Sequence, residues 1–269
     1  MSNFKDKVVF ISGSSQGIGK AVAMELGLLG AKLVLNGRNE KKLESAAEEL
    51  KTAGVELITI PGDVSSYNES KRMMDAVIEH YGQLDWLINN AGMSGGGKLE
   101  HTHGEVYERI FGINVLGSIY LSHYSIPHLR KTKGGILFIS SVAGMIGLPS
   151  YTAYSASKRA VTALAESLRI ELHDDNIYVG VNFPGFTEND PQKAIYKADG
   201  SLGVLEKRAD VKANPLSKTV SRIVTQMRKK RFYGYSSVQG WLVRLGSRLF
   251  PGIVHMGLKA NRKKIMDMQ

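Results

Sequence analysis

The sequence predicts an α/β protein in which a doubly wound parallel sheet of about seven strands is covered by helices on both faces. Two observations lead to this prediction. Short apolar runs rich in β-branched residues indicate buried strands, and stretches of ten or more residues with helical periodicity alternate with them. The apolar runs are 7–12, 32–36, 56–60, 85–89, 135–140, 177–182 and a final short one at 231–235. The helical stretches include 20–29, 40–52, 70–81 and 155–172.

The composition is that of a globular protein that can bury a large core. Of its 269 residues 43% are hydrophobic, 22% are charged and only 7 are proline. Cysteine is absent, which excludes disulfides, thiolate nucleophiles and cysteine-ligated metals. The first residues are charged where a signal peptide needs an apolar core, and no run approaches the roughly 18 apolar residues of a membrane span. We therefore expect a cytoplasmic protein that is not integral to a membrane.

The chain is expected to form one domain over 1–236, followed by a basic amphipathic extension over 237–269. A polar stretch at about 186–214, which contains Asp199-Gly200, is interpreted as a mobile lid. Charge is concentrated at the end of the chain. Residues 1–200 hold 20 Lys/Arg and 22 Asp/Glu, whereas 201–269 hold 15 and 3, a balance of +12.

A glycine-rich turn, Ser12-Gly-Ser-Ser-Gln-Gly-Ile-Gly19, connects the first predicted strand to the first helix. Glycines at such a turn let backbone N–H groups approach a pyrophosphate at the start of a helix. The turn taken alone is equally compatible with a tight strand-to-helix connection that binds nothing. In open parallel sheets, ligands bind beyond the carboxyl ends of the strands, so the residues that follow the other strands carry the argument further.

The G-x-x-x-G-x-G spacing of this turn resembles that of the short-chain dehydrogenases/reductases, a family with a Rossmann-like fold. Five further motifs match the family in order and spacing: Asn89-Asn-Ala-Gly92, Asn114, Ser140-Ser141, Tyr154-Ser-Ala-Ser-Lys158 and Pro184-Gly185. The resemblance is firm over about the first 190 residues and looser beyond them. The dinucleotide-binding residues that it implies are Gly13, Ser15, Gln16, Gly17, Ile18, Gly19, Arg38, Asp63, Val64, Asn90, Ala91, Gly92, Tyr154, Lys158, Pro184, Gly185 and Thr187.

The end of the second strand predicts NADP(H) as the cofactor. A site specific for NAD places an acidic residue there to hold the ribose 2′-hydroxyl, and the segment Asn36 to Asn39 has none. Arg38 offers a planar cation suited to a 2′-phosphate. The alternative is that Arg38 is a solvated turn residue. Asp63 resembles the family residue that contacts the adenine amino group.

Tyr154 and Lys158 are four residues apart in a predicted helix and therefore lie on one face. The ammonium of Lys158 is expected to lower the pKa of the Tyr154 phenol from about 10 and to make Tyr154 a usable acid and base. Ser141, after the fifth strand, is expected to donate a hydrogen bond to the substrate oxygen, with Ser140 as the alternative. The resemblance implies that Asn114 holds a water that links Lys158 to solvent.

The reaction implied is hydride transfer between NADP(H) and a carbonyl or alcohol carbon. An apolar substrate, with a lipid-like, acyl or steroid-like body, is favoured by side chains near the catalytic motifs: Met145, Ile146, Leu148, Tyr151 and Phe186. Core packing explains some of these equally well. Gly95-Gly-Gly97 is interpreted as a flexible loop beside the substrate. Asn189 replaces a threonine that the family often has, which is a departure from the family pattern at the expected nicotinamide contacts.

Other partners are assessed from the same residues. His101 and His103 lack a third ligand nearby in the sequence, so no metal is expected. No nucleic acid is expected, and the family resemblance implies a homodimer or homotetramer. The alternative to an enzyme is a non-catalytic dinucleotide-sensing protein that uses its basic tail on a partner. Intact Ser141, Tyr154 and Lys158 argue against that alternative.

The extension over 237–269 contains two amphipathic segments separated by Pro251. Apolar residues recur at helical spacing, for example Trp241, Leu245 and Leu249, and cations such as Arg244 and Arg248 lie on another side. One interpretation is peripheral contact with an anionic membrane surface. The other is that the apolar stripe packs on the domain or on a second subunit while the cations are solvated.

Overall fold

A computed structural model describes residues 4–188, 194–204 and 213–266, apart from the side chains of residues 239, 264 and 265. Its strands are β1 (Val8–Ile11), β2 (Lys32–Gly37), β3 (Leu57–Pro61), β4 (Trp86–Asn89), β5 (Ser94–Gly95), β6 (Gly135–Ile139), β7 (Tyr178–Phe183), β8 (Ala194–Tyr196), β9 (Leu202–Val204) and β10 (Tyr233–Tyr235). Its helices are α1 (Gly17–Leu28), α2 (Glu40–Thr52), α3 (Tyr67–Tyr81), α4 (Gly104–Phe111), α5 (Gly117–Thr132), α6 (Thr152–Glu171), α7 (Leu216–Arg228), α8 (Val238–Leu249), α9 (Pro251–Ala260) and α10 (Arg262–Met266).

Seven of the strands form one parallel sheet in the order β10-β7-β6-β4-β1-β2-β3. The predicted fold class is confirmed, and each predicted strand lies within about two residues of its position in the structure, the margin expected for element ends. The order reverses at β1, which pairs with β2 on one side and β4 on the other. Ligands bind beyond the strand ends at such a switch point.

Alternate side chains of the central strands supply two apolar layers, one on each face of the sheet. Phe10 of β1 packs into one layer, while Val9 and Ile11 pack into the other. The helix predicted at 40–52 begins where expected, whereas those predicted at 20–29, 70–81 and 155–172 begin three residues earlier, at Gly17, Tyr67 and Thr152. The side chains of Asn39 and Ser66 accept hydrogen bonds from backbone N–H groups in the first turns of α2 and α3.

A second, three-stranded sheet lies beside the main one and was not predicted. β5 pairs in parallel with β8, and β8 pairs antiparallel with β9. The loop expected to be flexible at Gly95-Gly-Gly97 is thus partly paired, since Gly95 is in register with Tyr196 and Gly97 forms a bridge with Tyr151. The hairpin of β8 and β9 lies within the stretch interpreted as a lid, and the lid function remains a prediction.

The C-terminal extension is helical in its described part and consists of α8, α9 and α10. The side chain of Val243 packs against the main core. Within residues 4–188, 194–204 and 213–266, the longest and most apolar helices still fall short of what is needed to cross a bilayer.

Asp85, just before β4, joins the start of β1 to the sheet. Its buried carboxylate accepts hydrogen bonds from Lys7 Nζ at 2.8 Å, the Val8 N–H at 2.9 Å and Gln83 Nε2 at 2.9 Å. Lys7 and Gln83 also reach solvent, so the buried N–H of Val8 is the donor that depends on this one residue.

Asp85→Ala is expected to lower the free energy of unfolding by about 3 kcal/mol, because the buried N–H of Val8 loses its acceptor and the partly exposed Lys7 loses its ion pair. The melting temperature should fall by roughly 6 to 12 °C in calorimetry or circular dichroism. Asp75→Ala is the matched control, since Asp75 forms an exposed pair with Lys71 on α3 and should cost under about 0.5 kcal/mol. Equal melting temperatures for the two variants would contradict the assignment.

Candidate active site

The turn between β1 and α1 requires glycine at its first position. Gly13 has φ +63°, a left-handed conformation, and a Cβ added there would lie 2.8 Å from Ala91 Cα. Gly19 is similarly constrained, because a Cβ would overlap the side chain of Asn90 and the Gly13 carbonyl. Gly17 also has a positive φ, of +59°, but meets no protein atom within 4 Å. The turn therefore packs on one side and opens to the cleft on the other.

Asn90, Ala91 and Gly92 follow β4 and are bonded to the glycine turn. The Ser12 hydroxyl accepts hydrogen bonds from the backbone N–H groups of Asn90 and Ala91, both at 3.0 Å. Asn90 Nδ2 donates to the carbonyls of Ser12 and Gly13 at 3.0 and 2.9 Å. These bonds hold the ends of β1 and β4 together at the switch point of the sheet.

The start of α1 suits the phosphates of a dinucleotide. Gln16 precedes the helix and makes no side-chain capping bond, and the first turn has no acidic residue. N–H groups at a helix start and the helix dipole favour an anion there. A cavity of about 610 Å³ adjoins this turn, and its lining includes Ser15, Gln16, Gly17, the lysines Lys20, Lys41 and Lys42, and the glutamates Glu49 and Glu188. The glycine cradle, the uncapped helix start and the adjoining cavity together fit a nicotinamide dinucleotide.

Arg38 lies at the end of β2 with half of its side chain exposed. Its guanidinium is 3.7 Å from Asp63 Oδ2, a carboxylate that the local sequence around Arg38 did not reveal. Asp63 is itself fixed by Ser65, whose N–H and hydroxyl donate to Oδ1 at 2.9 and 2.7 Å. Val64 is buried against Gly117, where a Cβ would lie 2.6 Å from Val64 Cγ2. The structure thus brings Arg38 and Asp63 together.

Tyr154 and Ser141 meet across the cleft. Ser141 follows β6, and its hydroxyl accepts a hydrogen bond from the Ala143 N–H at 3.2 Å. The same side chain hydrogen bonds to the Tyr154 phenol. Ser140, the alternative considered from the sequence, points elsewhere: its buried hydroxyl donates to the Lys158 carbonyl at 3.0 Å. Ser141 is therefore the serine that faces Tyr154.

Lys158 lies one turn after Tyr154 on α6 and is 5% exposed. Its ammonium is 5.9 Å from the centroid of the Tyr154 ring and donates to the Ile139 carbonyl at 2.9 Å. The expectation of a lowered phenol pKa is wrong for this arrangement. Burial raises the pKa of Tyr154, because it disfavours the charged phenolate, and the hydrogen bond with Ser141 lowers it only in part.

Asn114 lies in a π-helical turn, Gly112–Leu116, between α4 and α5. Its buried side chain is fully used: Oδ1 accepts from the Met93 N–H at 2.8 Å, and Nδ2 donates to the Met93 carbonyl and to Ser157 Oγ at 3.0 and 2.9 Å. π-Turns are often found at functional sites. Ser157, which the sequence analysis did not single out, donates in turn to the Tyr154 carbonyl at 2.8 Å. In the sequence, only the position of Ser157 next to Lys158 in the tyrosine motif indicates that it belongs to the site.

The segment after β7 carries Pro184, Gly185 and Thr187. The Thr187 hydroxyl donates to the Gly185 carbonyl at 3.2 Å and lies 3.2 Å from the hydroxyl of Thr219. Thr187 is buried, so this hydroxyl is already engaged within the protein. Asn189 lies outside the described residues.

The apolar residues named near the catalytic motifs divide into two groups. Met145 is buried in the main core, so packing explains it, and Tyr151 is also buried. Phe186 is 48% exposed, and Ile146 and Leu148 are partly exposed. His101 is exposed beside Glu100. Over residues 4–188, 194–204 and 213–266, no three His, Cys, Asp or Glu side chains come together as a metal site.

A family model described as short chain dehydrogenase matches residues 7–200. The chain belongs to the short-chain dehydrogenase family. Its fold is that of a family of oxidoreductases that bind a nicotinamide dinucleotide. The glycine turn and the cluster of Ser141, Tyr154 and Lys158 all lie within the matched part.

Individual relatives support this assignment to the short-chain dehydrogenases. The chain is 43% identical over 203 residues to 11-beta-hydroxysteroid dehydrogenase-like 2 of Arabidopsis thaliana, which covers 73% of this chain and 66% of that protein. It is 39% identical over 186 residues to 3-ketodihydrosphingosine reductase of Bos taurus, covering 67% and 56%. The match thus spans less than two thirds of the length of these two relatives.

A solved structure resembles the whole fold of this dehydrogenase. The crystal structure of a short chain dehydrogenase/reductase from Burkholderia phymatum in complex with NAD has a TM-score of 0.80 and 25% identity, and covers 92% of this chain and 95% of the other. The likeness therefore extends beyond residue 200, where the family model ends.

Proposed function

We propose that this short-chain dehydrogenase uses NADP(H) to interconvert a ketone or aldehyde and the corresponding alcohol on an apolar substrate. The observation that carries the proposal is the hydrogen bond between Ser141 and the Tyr154 phenol, with Lys158 one turn away on the same helix. Because the Tyr154 phenol and the Ser141 hydroxyl are within hydrogen-bonding distance of each other, both can hydrogen bond to the same substrate oxygen. A protein that only sensed dinucleotides would not need this arrangement.

The cofactor supplies or accepts hydride at the nicotinamide C4 atom. In the reducing direction Tyr154 donates its phenolic proton to the substrate oxygen, and Ser141 donates a hydrogen bond that stabilises the negative charge developing there. Lys158 places a positive charge close to the phenol. Asn114 acts as a positioning residue, because it joins the backbone of Met93 to Ser157 on the helix that carries Tyr154.

The side chains at the end of β2 are the basis for proposing NADP(H) as the cofactor in preference to NAD(H). The Arg38–Asp63 pair is exposed and 3.7 Å apart, so it is worth at most about 1 kcal/mol and does not prevent Arg38 from turning to a phosphate. Lys41 and Lys42 add positive charge to the neighbouring cavity, in which Lys20 is paired with Glu49 at 2.8 Å. The relative from Burkholderia phymatum binds NAD, so the preference for NADP(H) rests on these residues alone.

An apolar, lipid-like or steroid-like substrate is proposed for two reasons. Phe186 is half exposed next to the segment that follows β7. The names of two relatives, a hydroxysteroid dehydrogenase-like protein and a ketodihydrosphingosine reductase, refer to apolar compounds. By analogy with the family we also propose a homodimer or homotetramer, located in the cytoplasm or at the periphery of a membrane.

Tyr154→Phe is expected to reduce turnover by about 10²-fold or more, because it removes only the transferable proton. Affinity for NADPH, measured by fluorescence titration, should change little. Tyr124→Phe on α5 is the matched control and should keep nearly full activity. A Tyr154→Phe enzyme that retains more than about a tenth of the wild-type rate would show that another group supplies the proton.

The pH dependence follows from the direction of the Tyr154 shift. Reduction needs the protonated phenol, and burial raises its pKa above the ordinary value of about 10. Reductive kcat/KM should therefore stay level through the neutral range and fall only at alkaline pH. Alcohol oxidation needs the phenolate and should rise with pH over the same range. A reductive profile that already declines near neutrality would mean that a nearby positive charge outweighs burial in the reacting complex.

Arg38→Asp is expected to shift the preference from NADP(H) toward NAD(H). The new carboxylate accepts hydrogen bonds from ribose hydroxyls and repels a 2′-phosphate. The measurement is the ratio of kcat/KM values for the two cofactors, which should change by about 10²-fold or more. Lys71→Asp on α3, with nearly the same change in net charge, is the control. An unaltered ratio in Arg38→Asp would assign the phosphate contact to another residue.

A further inference from the structure

Three side chains of α8, namely Val243, Arg244 and Arg248, contact the domain. The Arg244 guanidinium stacks over the Tyr233 ring, 3.5 Å from its centroid, and Arg248 lies 4.0 Å from Glu166 Oε1. The Tyr233 hydroxyl donates to the same carboxylate at 2.7 Å. These contacts attach α8 to β10 and to the helix α6 that carries Tyr154. Apart from Val243, the large apolar side chains of α8 do not pack on the domain, which leaves a membrane surface or a second subunit as the partner of the apolar stripe.

The apolar side of α8 faces outward and continues onto α9. We call these two helices, residues 238–260, the C-terminal hairpin, and they pack together where Val254 lies over Gly246. Large apolar side chains on the outer face are between 42% and 65% exposed: Trp241, Leu242, Leu245, Leu249, Ile253 and Met256. An exposed apolar patch of this kind on a globular protein marks an interaction site.

The charge around this patch has one sign. Residues 238–266 contain six Lys or Arg and no Asp or Glu. Lys259, Arg262 and Lys263 are exposed directly after the apolar face. Tryptophan, aliphatic side chains and adjacent cations are the residue types that bind favourably at the interface of an anionic bilayer.

The hairpin begins beside the proposed active site. Ser237 precedes α8, and its hydroxyl is 3.6 Å from where a Cβ on Gly185 would lie. The Ser236 N–H bonds to the carbonyl of Phe183, the last residue of β7, at 3.5 Å. Gly185 and the half-exposed Phe186 follow that same strand end. The apolar face therefore starts at the carboxyl ends of the parallel strands, on the same side of the sheet as the glycine turn and Tyr154.

We propose that the C-terminal hairpin docks the protein on an anionic lipid bilayer, and that the active site beside it takes its apolar substrate directly from that bilayer. The second half of this proposal rests on the proposed function; the docking does not. Charge favours a bilayer over a second copy of the chain. A twofold pairing through the same face would bring the cations of both copies together, whereas anionic lipids would neutralise them.

Docking is tested by co-sedimentation of the full chain with vesicles of phosphatidylcholine containing about a third phosphatidylserine. We expect capture at low salt, release by added salt and little capture by phosphatidylcholine alone. Leu242→Gln combined with Leu245→Gln should reduce partitioning about tenfold or more, because the apolar contact is lost. The matched control, Leu28→Gln with Ile170→Gln, changes two apolar residues elsewhere that are at least as exposed, and this variant should bind as the wild type does.

The cations are tested separately. Replacing Lys259, Arg262 and Lys263 by Gln should lower partitioning about a hundredfold, since each cation near an anionic surface contributes roughly a fivefold factor. The control replaces three exposed lysines on other helices, Lys51, Lys71 and Lys131. Circular dichroism confirms that all variants remain folded. Sedimentation of the wild type with neither vesicle at low salt would overturn the docking. A dimer that the Leu242→Gln, Leu245→Gln variant dissociates, with no vesicle capture, would overturn it in favour of a subunit interface.

Access from the bilayer has its own measurement. With NADPH, the wild type should reduce a long-chain ketone held in anionic vesicles at least tenfold faster than the variant with Leu242→Gln and Leu245→Gln. Both proteins should reduce a short water-soluble ketone at the same rate. Equal rates on the vesicle-held ketone would overturn access from the bilayer. Loss of all ketone reduction with vesicle capture intact would contradict the proposed function and leave the docking standing.

Discussion

The close approach of Gly13 to Ala91 is the constraint on which the rest of the site depends. It needs a residue without a side chain in a left-handed conformation, and it allows the Ser12 hydroxyl to bind both N–H groups that follow β4. The next residue along, Gly92, lies so that a Cβ there would be 3.2 Å from both Asn114 Oδ1 and Lys158 Nζ. One tight crossing at the switch point thus joins the phosphate turn to the catalytic helix.

Buried polar side chains then hold that helix in place. Asn114 bridges Met93 and Ser157, and Ser140 binds the carbonyl of Lys158 from the opposite side. A buried polar group is costly unless it is hydrogen bonded, so a network of this kind defines one position for α6. The phenol of Tyr154 is held within a cleft whose burial raises its pKa, and the same burial strengthens electrostatic effects on a substrate oxygen.

The sequence predicts those parts of the molecule that depend on local pattern. Buried parallel strands appear as continuous apolar runs, and the glycine turn is visible because only glycine fits there. The small sheet was missed because β5 has two residues and pairs with β8, about a hundred positions away. The contact between Arg38 and Asp63 is likewise not predictable, because the two residues are far apart in the sequence. The direction of the Tyr154 pKa shift is not predictable from spacing, because spacing gives no measure of burial.

The orientation of α8 is a further property that periodicity cannot supply. The sequence separates an apolar stripe from a basic one but does not say which of them faces the domain. Here the ring of Tyr233 lies under Arg244, and the partly exposed carboxylate of Glu166 lies 4.0 Å from Arg248, so the basic stripe contacts the domain. Because Glu166 lies on α6, about three helical turns beyond Tyr154, the contacts that turn the apolar face outward also connect the tail to the catalytic helix. A partner that covers that face would therefore contact a helix that is joined through Arg248 and Glu166 to the helix carrying Tyr154.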